Sequence, residues 1–273
     1  MTQFSLVQAS VAQPFFDAAP LPLTKLERMA QDAGLPGSIV TQPTGIVSLH
    51  AAERCMVRLE RRIKHPTYFV ETVCSPSSPH DTSVANIAMP RALTGVEAIE
   101  RIAETISSFI YGADFLTQTD GNRIWLLRTA GTTDWTDRWP VQQYNLQVGW
   151  QAVQNVIGRP VAPRALRLSS VVPKAALPEP WRDLPVVLSK RKMGMAFDIA
   201  DLNSTSDSAL VGGWSSRETV HPQIQEVHLL RACLEGFLSE TDQESLSSRM
   251  AKTFGMSTRS YRRRLERLGL THR

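Results

Sequence analysis

Five arginines, Arg259, Arg262, Arg263, Arg264 and Arg267, crowd into a short stretch near the end of this chain, just after Ser257 and Thr258. Guanidinium groups at that spacing suit one kind of chemistry. Their planar fork matches the O6/N7 edge of guanine, with about 1–3 kcal/mol of discrimination for a good bidentate contact. The same group neutralises phosphate, which adds affinity without sequence information. From Thr241 to Arg273 there are eight basic residues and three acidic ones, a net +5, although the whole chain carries only +4. The remainder is therefore close to neutral. The field that attracts polyanions, nucleic acid first among them, belongs to the tail.

Spacing divides the labour within this segment. Tyr261, Leu265 and Leu268 recur at four and three residues and predict the buried stripe of a helix, with Arg259, Arg262, Arg263 and Glu266 on another face. Consecutive residues step about 100° around a helix, so Arg262, Arg263 and Arg264 cannot all enter one groove. Arg259, Arg262 and Arg263 are the candidates for base edges or the groove floor. Arg264, Arg267, Lys252 and Arg249 are candidates for phosphate contacts or a solvated surface. Taken singly, a run of arginines is ordinarily just a solvated helix face.

Its neighbours change that balance. A first helix is predicted from Glu244 to Phe254, capped by Thr241 or Asp242, with Leu246, Met250, Ala251 and Phe254 facing inward. Gly255 follows where a helix end needs a residue tolerant of the left-handed region, and Met256 can plug the gap between helices. Ser257 is a good N-cap for the second helix. Two short helices joined by a tight glycine turn form a helix-turn-helix.

The elements before it read as mixed helix and strand. Helices are predicted over Pro22–Gly34, Ala51–Lys64, Thr94–Tyr111 and Val141–Ile157; the third has a Thr94/Glu97 capping box and closes at Gly112. Phe115–Thr119 and Arg123–Thr129 flank Asp120-Gly121-Asn122, a hairpin signal. Ala165–Val172 and Leu184–Leu188 read as strands. Helix, hairpin, helix and strand in succession predict an α+β fold for residues 1–205. Ser204–Val220 is rich in Ser, Thr, Asp and Gly, so 206–221 is expected to be a linker. Pro222 then opens a helix with Ile224, Val227, Leu230, Leu234 and Phe237 or Leu238 as its core face, beginning an all-α unit at 222–273.

Other chemistry finds little footing. The six histidines (His50, His65, His80, His221, His228, His272) show no HxH or HExxH spacing, so no metal site is expected. No GxSxG, P-loop or GxGxxG occurs, and Ser215-Ser216 read as turn residues, so neither catalysis nor a cofactor is expected. Cys55, Cys74 and Cys233 are scattered, which fits packing roles in a reducing cytoplasm. No apolar run is long enough to span a membrane, and Met1–Gln13 lacks the pattern of a secretory signal. Tyr111, Trp125, Trp139, Tyr144 and Trp150 can line a ligand pocket or simply fill a core. Arg123 or Arg128 can pair an acidic effector, or alternation can place them on the solvent face.

The stretch MAKTFGMSTRSYRRRLERLG resembles the first helix-turn-helix of AraC/XylS-type regulators, through Ala251, Gly255, Met256, Ser257, Arg259, Arg263 and Leu265, with Tyr261 in the apolar slot. AGLPGSIVTQPTGIVSL, ALTGVEAIERIAETI and LPVVLSKRKMGMAFDIADLN resemble the arabinose-binding-like sensor domain of one branch of that family. The resemblance implies a ligand-responsive transcriptional regulator. Its implied partners are double-stranded DNA, an unknown small effector and a second copy of itself, with RNA polymerase as a further possibility. The family's DNA-binding unit holds two such motifs, whereas this sequence reaches Arg273 just after the first, so the expectation is either a unit truncated at this point or a protein that works with half the reader and then needs a dimer. The alternative expectation is an interaction protein that titrates a full-length paralogue without selecting DNA itself.

Overall fold

The computed structural model describes residues 4–68, 70–71, 94–129, 138–203, 222–238 and 245–271. Within them, mixed helix and strand build two sheets. A small one has the order β2-β1-β3, from β1 (Leu6–Gln8), β2 (Ile46–Ser48) and β3 (Ile110–Tyr111), all antiparallel. A larger one has the order β4-β5-β8-β6-β7, from β4 (Phe115–Asp120), β5 (Arg123–Thr129), β6 (Ala165–Leu168), β7 (Val186–Leu188) and β8 (Lys192–Asp198). Its pairs are antiparallel except β6 with β7.

The helices of the front segment are α1 (Gln13–Asp17), α2 (Leu23–Ala33), α3 (Leu49–Ile63), α4 (Gly95–Phe109), α5 (Trp139–Ile157) and α6 (Ile199–Asn203). Local chemistry explains most of their ends. Gly34 closes α2 at φ 84°, and Gly158 closes α5 at φ 73°. Thr94 Oγ1 accepts from Glu97 N at 3.1 Å to start α4. Its far end differs from expectation: the chain leaves the helix at Ile110, before Gly112, and becomes β3. Leu6 and Val7 pair there with Tyr111 and Ile110, so a strand partner distant in sequence overrides the helical period.

The Asp120–Arg123 pair closes the expected hairpin, with Gly121 at φ 59°. β8 was not expected at all, yet it is the middle strand of the large sheet, between β5 and β6. A Cβ at Gly194 would lie 2.0 Å from the Leu126 carbonyl oxygen, so the bare position lets β8 approach β5. β6 ends at Leu168, short of the expected Val172.

One face of this sheet carries Leu126, Met195 and Phe197 into a core with Ile99, Ile102 and Ile106 of α4 and Leu146 and Val153 of α5. Trp125 and Leu127 point to the other face and pack with Ala165 and Ala196. A third cluster joins the two ends of the chain. Phe4 and Leu6 pack with Leu230, Cys233 and Phe237 of α7 (Pro222–Leu238) and with the final two helices, α8 (Leu246–Thr253) and α9 (Thr258–Arg267).

Arg128 does not face solvent as strand alternation allowed. It is 3% exposed and donates to Glu53 Oε1 at 2.8 Å. Glu53 Oε2 accepts from Arg138, whose Nη2 lies 3.3 Å from His50 Nδ1. Arg123 stays near the surface and pairs with Asp198 at 3.3 Å. The expected linker at 206–221 lies outside the described residues, as do Cys74, Ser215, Ser216, Thr241 and Asp242. No helix among the described residues is long and apolar enough to cross a membrane.

Candidate nucleic-acid interface

The last two helices form a helix-turn-helix whose turn follows from backbone chemistry. Met256 N donates to Ala251 O at 2.9 Å and Gly255 N to Lys252 O at 3.1 Å, with Gly255 at φ 66°. These two bonds make a Schellman motif, which satisfies carbonyls that the end of α8 leaves unpaired. Ser257 Oγ then accepts from Ser260 N at 3.2 Å and starts α9. Ser245, rather than Thr241 or Asp242, caps α8 in the same way. α9 closes on a second Schellman pair, Leu270 N to Leu265 O and Gly269 N to Glu266 O.

Two faces of α9 are chemically opposed. Tyr261 is fully buried and Leu265 is 3% exposed, while Arg259, Arg262, Arg263, Glu266 and Arg267 are all exposed. At about 100° per residue, Arg259, Arg262 and Arg263 fall within roughly a third of the circumference, opposite Tyr261. Three arginines thus share one outward surface on a helix capped at both ends. Ser257 is exposed but its hydroxyl is engaged in capping, and Thr258 is half-buried.

Arg264 corrects the expected set. It is 5% exposed, with Cζ 5.5 Å from the Phe4 ring centre, so it belongs to the packing of the unit and not to its outer surface. A legible signal existed, because residue 264 lies three beyond Tyr261 and borders the buried stripe. Arg249 is also drawn inward, with Cζ 5.2 Å from the Phe237 ring. Lys252 and Arg267 remain exposed.

The helical pair is seated on the front of the chain by contacts that no local pattern announced. Phe4 lies 4.6 Å from Phe254 and 5.8 Å from Tyr261, centre to centre. Ser48 Oγ, fully buried, donates to Thr253 O at 3.1 Å, and Arg54 Nη2 donates to Lys252 O at 3.1 Å and to Ala33 O at 2.6 Å. Thr253 Oγ1 donates back to Gly34 O at 3.0 Å. The negative end of the α8 dipole therefore meets a cation and a hydroxyl from α3 and its N-cap. The turn itself rests against His50: a Cβ on Gly255 would come within 2.5 Å of its Nε2. Burial, then Arg138 and Arg54, hold His50 down at about 4 from its ordinary 6.5.

The aromatic candidates divide among three clusters: Trp139, Tyr144 and Trp150, all on α5, belong to the main core, while Tyr111 and Trp125 lie elsewhere. Tyr111 packs against the cluster around α7–α9, and Trp125 lies in the small cluster on the other sheet face, with Arg167 Cζ 4.4 Å from its ring. Trp150 donates to Val161 O at 2.6 Å, and Tyr144 meets Phe15 edge-on at 4.7 Å. A shallow cleft between α5 and the sheet is lined by Phe115, Leu126, Arg128, Asn145, Gly149 and Met195, and by none of those aromatics.

No family profile matches this sequence, and no curated protein does. Among solved structures, the chain is similar to the crystal structure of the transcriptional regulator CdpR from Pseudomonas aeruginosa. That likeness has 12% identity over 92% of this chain and 81% of that one, with a TM-score of 0.41, a level that transfers no residue role.

Proposed function

We propose that this chain is a DNA-binding transcriptional regulator of AraC type that acts in the cytoplasm and reads DNA with α9. The observation that carries the reading is the outward surface of Arg259, Arg262 and Arg263, set opposite a buried Tyr261–Leu265 stripe on a doubly capped helix. A recognition helix needs both properties: cations aimed at the groove, and a neighbour that fixes their direction. In this reading α9 enters one major-groove segment, and two copies on half-sites about one helical turn apart supply useful affinity.

Residues 1–205 would then sense a small effector and 222–273 would bind DNA. The direct bonds from Ser48, Arg54 and Gly34 to the end of α8 support such coupling, because a shift of α2 or α3 must be felt by the reader.

The test is duplex binding by fluorescence anisotropy across a salt series, using sites selected from a random pool and unselected duplex as reference. Specific binding should weaken linearly in log–log form as salt rises, with a slope of about −0.9 per neutralised phosphate. Arg259→Ala or Arg263→Ala should lose about 1–3 kcal/mol of preference for the selected site if that side chain reads a base. Binding no tighter to selected than to unselected DNA would end the proposal.

A further inference from the structure

A line of arginines leads away from the turn that aims α9. Helix α3 starts beside that turn, where His50 lies against Gly255, and Arg54 Nη2 reaches across to Lys252 O at 3.1 Å. At about 100° per residue, Arg54, Arg58, Arg61 and Arg62 share less than a third of the circumference of α3, and the acids of that helix, Glu53 and Glu60, lie on the opposite side. Arg54 is half-buried, whereas Arg58, Arg61 and Arg62 are exposed. Among the described residues, Asp32 of α2 meets Arg58 at 3.6 Å, and Arg61 and Arg62 form no ion pair. The excess charge is felt further in: burial first, then the like charges of Arg58 and Arg138, lower the pKa of Arg54. Lys252, exposed in the last turn of α8, and Arg259, exposed in the first turn of α9, continue the line on either side of the turn.

We propose that Arg58, Arg61 and Arg62 hold backbone phosphates of the duplex just beyond the segment that α9 enters, so that the front of the chain takes part in DNA binding directly. The proposal rests on the reading of α9 as the recognition helix and adds a second contact surface on a separate element. Charge complementarity selects the occupant, because a duplex carries one negative charge per about 1.7 Å of its axis and arginine matches phosphate with two parallel bonds. Length fits as well. At about 1.5 Å per residue, Arg58 and Arg62 lie about 12 and about 18 Å from His50 along α3. With about 3.4 Å per base pair, the contacts fall roughly four to five base pairs from the bases met at the start of α9. There the three arginines add affinity and fix the angle at which α9 meets the groove, without sequence information of their own. Arg54, bonded to Lys252 O and Ala33 O, is the positioning residue that ties α3 to α8.

Anisotropy measurements on the full chain decide the matter with two duplexes: a selected half-site flanked by about ten base pairs on each side, one helical turn, and the same half-site without flanks. Arg61→Gln combined with Arg62→Gln should weaken binding to the flanked duplex at least about fivefold at low salt and flatten its salt slope by about 0.9 for each phosphate lost, with the preference for selected over unselected sequence unchanged. Without flanks, this double variant and wild type should bind alike. Lys190→Gln combined with Arg191→Gln removes the same charge from an exposed pair between β7 and β8, and should bind as wild type does. Circular dichroism verifies folding. Should the first double variant fail to fold, Asp32→Asn carries the test in the opposite direction: it removes the carboxylate beside Arg58 and should tighten binding to the flanked duplex, and no tightening overturns the proposal. Equal losses in the two glutamine pairs, or a loss that persists without flanks, would also overturn it. So would an Arg61/Arg62 variant that binds as wild type does, including the case where this face serves an acidic protein. In each of these outcomes the selected site is still preferred and the reading of α9 stands. A wild type that prefers no sequence ends that reading instead, and this proposal with it.

Discussion

Glu53 offers a sharp energetic test of how this fold is held. Its Oε1 accepts from Arg128 at 2.8 Å and its Oε2 from Arg138, and its side chain is only 5% exposed. Glu53→Gln keeps the volume but turns one acceptor oxygen into an amide donor that faces a guanidinium. It also removes the carboxylate charge that faces Arg128, which is only 3% exposed. Breaking one side of a buried ion pair costs about 3–5 kcal/mol, because the surviving charge stays desolvated. For a chain of this size that corresponds to a fall in melting temperature of roughly 6–15 °C. The control is Asp32→Asn, which removes the partner of Arg58 in a 3.6 Å pair whose side chains are 46% and 56% exposed. An exposed pair of that kind contributes at most about 1 kcal/mol. Urea denaturation followed by tryptophan fluorescence gives both differences on one scale. Equal losses in the two variants, or a Glu53→Gln loss below about 1 kcal/mol, would refute the view that burial decides what each pair contributes.

Three further outcomes can be measured on the same preparation. Gly255→Ala forces a side chain into the left-handed region, at about 1–2 kcal/mol, and drives a Cβ to 2.5 Å from His50 Nε2; a thermal melt that does not move would show that the turn is not so confined. His50 takes up its proton near 6.5 when unfolded and only near 4 when folded, so the stability it contributes is full above pH 6.5 and is lost as pH falls from there toward 4. The difference in urea midpoint between pH 7 and pH 5 should therefore shrink in His50→Gln, and an unchanged difference would contradict the assignment. Burial pushes the thiols of Cys55 and Cys233 up to about 12, so brief alkylation at neutral pH, read by peptide mapping, should spare both until denaturant is added. Modification of native Cys233 would show that α7 opens away from the cluster it shares with Phe4.

Much of the local architecture is legible in the sequence. The Thr94 cap, the Gly34 and Gly158 stops, the Asp120–Arg123 hairpin and the Gly255–Ser257 turn each rest on contacts within a few residues, which spacing and residue type encode directly. Failures arose where a distant partner decided. β3 replaced the last turn of a helix because β1 lay beside it, and β8 escaped notice because a glycine and two methionines disguise a strand buried on both faces. The seat of α8 depends on Phe4, Ser48 and Arg54, which are separated from it by some two hundred residues of chain and share no periodicity with it.

For the candidate site the same division holds. Residue order alone determined that a cationic helix, capped by Ser257 and preceded by a glycine turn, ends this chain, since helix period, caps and net charge are short-range properties. Which arginines point outward was settled only by packing. Arg264 turns inward because the Phe4 ring and the buried Tyr261–Leu265 stripe lie on its side of the helix, leaving Arg259, Arg262 and Arg263 to the solvent. Burial depends on what lies opposite a side chain, and that neighbour is supplied by the other end of the chain.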